Sequence, residues 1–149
     1  MPDPLTTLIL FAHAAATWFM VGLIWFVQVV HYPLMARVPA SEAAAYALEH
    51  QRKTTWIVAP VMCIEAFAAV LLTWPLHVPS TFGHLPGVLG LTLLALIWLS
   101  TFAVQVPLHA RLAASPDDRT VRRLVASNWV RTLCWTARGS VAMLLLVRV

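Results

Sequence analysis

Three histidines of this chain, His31, His50 and His109, fall near the same end of three different apolar stretches. Neutral imidazoles gathered at one end of a helix bundle would suit a first-row transition metal such as iron, copper or zinc. Glu65 or Asn128 would complete or orient such a centre. No pair has the Glu-x-x-His spacing of di-iron bundles, which argues against that particular centre. The alternative is that these are interfacial histidines bonded to loop carbonyls. His77 and His84, in a Pro- and Gly-rich segment, are expected to be solvated.

Further polar groups recur at helical spacing inside apolar runs. His13 and His31 are separated by five full turns at about 100° per residue. Thr101, Gln105 and His109 step by four, and Asn128, Arg131, Trp135 and Arg138 step by three, four and three. A charge at the centre of a bilayer costs roughly 2.5–3.5 kcal/mol even on lenient scales, so these groups are expected to face one another. Counted at ~1.5 Å per residue, Glu65 from Trp56 and Arg138 from Asn128 reach the same level, which predicts that the two pair. The pair would be either structural or part of a catalytic pocket. Ser100 and Ser140 have no His and acid beside them in sequence, and the five glycines form no phosphate-binding loop.

The elements that must position these groups are membrane spans. Hydrophobic residues make up 60% of the 149 and charged residues 11%, against about 25% charged in a soluble domain. The expected architecture is all-α, a single four-helix transmembrane domain over residues 1–149 with spans at about 5–33, 54–75, 88–106 and 127–147. The first apolar run is too long for the core of a signal peptide, and Asp3 is the only charge before it. Cys63 and Cys134 lie within spans and read as small apolar groups, not as a disulfide. Helix two should protrude beyond its span, with Pro60 as a kink. Pro107 should close span three, and Pro75, Pro79, Gly83, Pro86 and Gly87 should form a loop. Tyr32, Trp56, Trp74 and Trp129 fit interfacial belts.

The net charge of +4 does not indicate a nucleic-acid partner, because of where the charge lies. Arg37, Arg52 and Lys53 fall in one loop and Arg111, Arg119, Arg122 and Arg123 in another, against Arg148 at the opposite side. This bias predicts both basic loops in the cytoplasm and both termini outside it. The expected location is a bacterial inner membrane with periplasmic or extracellular termini.

The two halves look related. Residues 33–41 read PLMARVPAS and residues 107–115 read PLHARLAAS, each after a Val-Gln-Val lead. The expectation is a pair of repeated helix hairpins about an axis along the membrane normal, with Gln28 matched to Gln105 and His50 to Asn128.

His13-x4-Trp18-Phe19-x2-Gly22-Leu23 resembles the first helix of the membrane-integral protoporphyrinogen oxidase family and of copper-resistance membrane domains. That resemblance covers one helix. It implies a four-helix fold, haem or copper, oxidoreductase activity and His13 as a ligand. Trp-rich helices with inward arginines also suit haem b, the arginines pairing with propionates. Val27-Gln28-Val29-Val30-His31-Tyr32-Pro33, Val106-Pro107-Leu108-His109 and Asn128-Trp129-Val130-Arg131-Thr132 resemble a group of small, mostly uncharacterised bacterial four-helix membrane proteins, a likeness that spans the chain and implies no activity.

The leading functional expectation is a small membrane oxidoreductase or oxygenase with a metal or haem site, acting on a lipophilic substrate. His31, His50 and His109 would be metal ligands, and His13, Gln28, Gln105 and Asn128 cofactor-binding groups. Glu65, Arg138 and Arg131 would serve catalysis. The alternatives are a non-enzymatic binding or transport protein for a small polar solute or proton, and a structural subunit of a membrane complex. Partners on this reading are membrane lipid and a lipophilic small molecule, with a homo-oligomer as a further option.

Overall fold

The computed structural model describes residues 3–73 and 85–147, and these are helical throughout apart from short turns. Four helical runs, Pro4–Met35, Ala40–Thr73, Leu85–Ala114 and Asp118–Val147, are long and apolar enough to cross a membrane. The first comprises α1 (Pro4–Phe26), a π-helical segment (Val27–His31) and α2 (Tyr32–Met35). The second is α3 (Ala40–Thr73). The third comprises α4 (Leu85–Ser100), a second π-helical segment (Thr101–Gln105) and α5 (Val106–Ala114), and the fourth is α6 (Asp118–Val147). The first span packs on the second and fourth, and the third packs on the same two, so first faces third and second faces fourth across the bundle.

Two helix starts are fixed by aspartate caps. Asp3 accepts from the Leu5 and Thr6 amides, both at 3.0 Å, with Pro4 at the first helical position. Asp117 accepts from the Thr120 amide at 2.8 Å and from the Thr120 hydroxyl. Hydrogen bonds from Thr6 and Thr120 hold the two carboxyls below their ordinary pKa.

The π segments explain how the first and third spans pass their prolines. A proline ring clashes with the carbonyl four residues earlier. For Pro33 and Pro107 those residues are Val29 and Ala103, each in the middle of a π segment, where the wider turn removes the clash. Pro107 therefore does not end the third helix, which continues to Ala114. Pro86 and Gly87, expected in a loop, instead open α4. The rest of that expected loop, with Trp74, His77 and His84, lies outside the described residues.

Tyr32 also departs from expectation. It is buried in the bundle interior, whereas Trp56 and Trp129 are exposed on its outside. Cys63 and Cys134 are free thiols.

The two π segments begin at Val27 and Thr101, an offset of 74 residues, the same as that between Pro33 and Pro107. In this register Gln105 corresponds to His31, not to Gln28. The repeated Val-Gln-Val leads are thus three residues out of step with the repeated backbone.

Candidate functional site

Buried polar groups occupy two layers separated by hydrocarbon. Along α6 the sequence Asn128, Arg131, Trp135, Arg138 runs through both, and all four side chains are buried. The apolar partition between the layers consists of Met20, Val21, Ile24, Met62, Ile97 and Trp135.

The first layer centres on Glu65, which is completely buried in the last third of α3. Arg138 donates from Nε to Glu65 Oε1 and from Nη1 to the Gly90 carbonyl, which ties the second, third and fourth spans together. His13 Nε2 lies 3.4 Å from Glu65 Oε1 and 3.2 Å from Arg138 Nη2. Where Nε2 accepts from the guanidinium, the imidazole proton resides on Nδ1. The Thr17 hydroxyl lies 2.8 Å from the His13 carbonyl and 3.3 Å from Glu65 Oε1. Charge pairing reduces the cost of placing both ions in hydrocarbon, and the Gly90 carbonyl satisfies part of the remaining fork. Sequence spacing anticipates the Glu65–Arg138 pair but not His13, Thr17 or Gly90 beside it. A main-chain carbonyl acceptor carries no residue-type signal.

The second layer gathers the other residues singled out by sequence. The His31 and His50 rings stack with centroids 4.1 Å apart and an interplanar angle of 21°, and His50 meets His109 at 5.4 Å. Tyr32 Oη lies 3.0 Å from His109 Nε2 and 3.5 Å from Gln105 Oε1. Gln105 Nε2 donates to Ser127 Oγ at 2.9 Å. Thr54 Oγ1 is 3.2 Å from His50 Nδ1. Asn128 donates to Gln28 Oε1 at 2.8 Å and accepts from Arg131 Nη1 at 3.3 Å, while Gln28 Nε2 donates to the Val125 carbonyl. His31 Nε2, His109 Nδ1 and Arg131 Nε are buried without a partner among the described residues.

The three histidines come together, yet stacking is a poor arrangement for ligation. Ring-nitrogen lone pairs lie in the ring plane, so stacked imidazoles aim them along parallel planes and not at a common point. Among the described residues, no group of three or more His, Cys, Asp or Glu side chains is disposed to hold a metal ion. His13 belongs to the other layer, with Glu65 and Arg138.

A cavity of about 200 Å³ adjoins the second layer. Its polar end is formed by Tyr32, His50, Gln105, His109 and Arg131, and its walls by apolar side chains such as Leu23, Val58, Met62 and Trp98. Thr101, Gln105 and His109, stepping by four, all line it. It lies between the second and third spans, where lining residues Thr55, Ala59, Phe102 and Val106 are exposed on the outside of the bundle. An apolar slot with a few convergent polar groups at one end is the usual form of a small-molecule site. No family model matches the chain, and no curated protein or solved structure matches it either.

Proposed function

We propose that this chain is an integral membrane protein that binds a lipophilic small molecule with a polar head, admitted sideways from lipid between the second and third spans. The observation that carries this reading is the cavity's polarity gradient, from Phe102 and Val106 at the outside to Tyr32, His109 and Arg131 within. The apolar partition around Trp135 and Ile97 favours binding over conduction of a polar solute, because it separates the two polar layers. Thermal unfolding of the purified chain in detergent, with a panel of neutral and charged lipophiles, tests it. A ligand that binds the folded form raises the midpoint by mass action. Ala59→Trp, which fills the mouth, should abolish the rise. A panel in which no lipophile moves the midpoint would refute the reading.

A second reading makes the protein an oxidoreductase or oxygenase acting on the same lipophile, at a transition metal or haem beside the cavity. It is favoured by the unpartnered, buried His31 Nε2 and His109 Nδ1 in the histidine stack. A metal shared by these rings requires them to turn out of their stack. A Soret band or stoichiometric iron, copper or zinc in purified protein supports this reading, and a colourless, metal-free protein that still binds its lipophile removes it.

The seven basic residues Arg37, Arg52, Lys53, Arg111, Arg119, Arg122 and Arg123, in and around the turns that join the first span to the second and the third to the fourth, support a bacterial inner-membrane protein with both termini outside the cytoplasm.

A further inference from the structure

The buried charges of this bundle do not balance. Among the described residues the buried ions are Glu65, Arg131 and Arg138, one anion against two cations. Glu65 is committed to Arg138. Arg131 sits seven residues earlier on α6, about 10 Å away along the helix axis, beyond Trp135. It has no carboxylate partner among the described residues. Among the described residues its single side-chain acceptor is Asn128 Oδ1, neutral and at 3.3 Å, and Nε has none.

A guanidinium left in this state is costly, since a buried ion without a counter-charge forfeits several kcal/mol of hydration. It also cannot escape by losing its proton. Arg131 lines the polar end of the cavity, so the missing anion can be supplied from there. Tyr32 and His109 line the same end of the cavity and, bonded to each other at 3.0 Å, leave one O–H or N–H donor between them for a further oxygen acceptor. The planar fork of arginine matches a carboxylate in two-point contact.

We propose that the cavity takes a single-chain lipophilic carboxylate, its head group paired with Arg131 and its hydrocarbon leaving between Phe102 and Ala59 toward lipid. This rests on the lateral-binding reading above and names the ligand class. A space of about 200 Å³ accommodates a head group and the start of one chain, not the head of a two-chain lipid.

The test uses the full chain in zwitterionic phosphatidylcholine bilayers at about pH 8.5, where a free carboxyl at the interface is ionised. The probes are stearic acid bearing a nitroxide on its chain, the methyl ester of the same molecule, and phosphatidylcholine carrying the same labelled chain. Electron paramagnetic resonance reads the fraction of probe that is motionally restricted. The expected result is a restricted acid component held at least tenfold more tightly than ester or phosphatidylcholine. R131Q should reduce the acid to the level of the ester, and R131K should fall between. Acid and ester held equally by the native chain would overturn the carboxylate assignment while leaving a lateral lipophile site standing. If neither were restricted, and Ala59→Trp made no difference to any probe, both the assignment and the underlying reading would fall. The acid–ester comparison needs no variant, so it decides even if R131Q does not fold.

Discussion

Glu65 of the second span and Arg138 of the fourth meet across the diagonal of the bundle, both sealed from solvent, with His13 leaning on each from the first span. The second and fourth spans pack on the other two and little on each other, so the pair acts as a cross-brace. Truncating either partner strands the other in hydrocarbon, which for buried pairs costs about 3–5 kcal/mol. Glu65→Gln and Arg138→Met should each lower the unfolding midpoint in detergent sharply. The double variant should lose much less than the sum of the two. Simple additivity in that cycle would show the residues to be uncoupled.

That brace was legible in the sequence because charge in an apolar run is rare and the depth count from the span ends is simple. The four spans were legible for the same reason. The stacking of the His31 and His50 rings was not. His13 and His31 enter different layers because 18 residues at ~1.5 Å each carry them about 27 Å apart along the helix axis, while the wide π turn at Val27–His31 shifts the direction in which His31 leaves that axis. The same wide turns carry the first and third helices past Pro33 and Pro107, which local rules read as stops. Tyr32 read as an interfacial aromatic because it lies near a span end. The structure turns it inward, where its hydroxyl meets His109. Trp56 and Trp129 are exposed on the outside of the bundle.

Two glycines separate packing from propensity. A methyl group on Gly139 would lie 3.1 Å from Val21 Cγ2 and 3.4 Å from Trp18, where α1 and α6 touch. Gly22 has open space at the same position. Gly139→Ala should therefore be net destabilising, because overpacking costs about 1–3 kcal/mol and exceeds the gain in helix propensity. Gly22→Ala should be neutral or stabilising, by up to ~1 kcal/mol. Guanidinium or thermal unfolding of both variants in one detergent provides the comparison, and equal responses would show that α1 and α6 are not closely packed there.

The proposed orientation places Pro116 in the cytoplasm and Ser80 outside. In a chain with Cys63 and Cys134 replaced by alanine, an impermeant maleimide applied to intact cells should label Ser80→Cys and leave Pro116→Cys unmodified until the cells are opened. The reverse pattern would invert the bundle, and the histidine layer would then lie toward the outer face.

The Asp117 cap supplies a pH test outside the bilayer. Its carboxyl pKa is lowered in the fold by the bonds from Thr120, so the stability it contributes is fully present above the ordinary aspartate range and is lost as pH falls through the folded value. Asp117→Asn keeps a capping oxygen but cannot titrate. The native chain should lose unfolding midpoint relative to Asp117→Asn as pH is taken below about 4. Parallel curves for the two would mean that Asp117 does not support α6 as a charged cap.

Asn128 gives the most direct control over the charge imbalance, because it is wholly buried and already touches the Arg131 guanidinium. Asn128→Asp changes one amide to a carboxylate of nearly the same shape and gives Arg131 a counter-ion of its own. The cost is local: Gln28 Oε1, which now accepts from Asn128 Nδ2, would face an oxygen. With its positive charge satisfied internally, the cavity should no longer prefer an anion. The variant should hold the nitroxide ester as well as the native chain does and should hold the acid no better than the ester. Unchanged preference for the acid in Asn128→Asp would show that the head group is selected by Tyr32 and His109 alone, and that the charge of Arg131 plays no part in the choice.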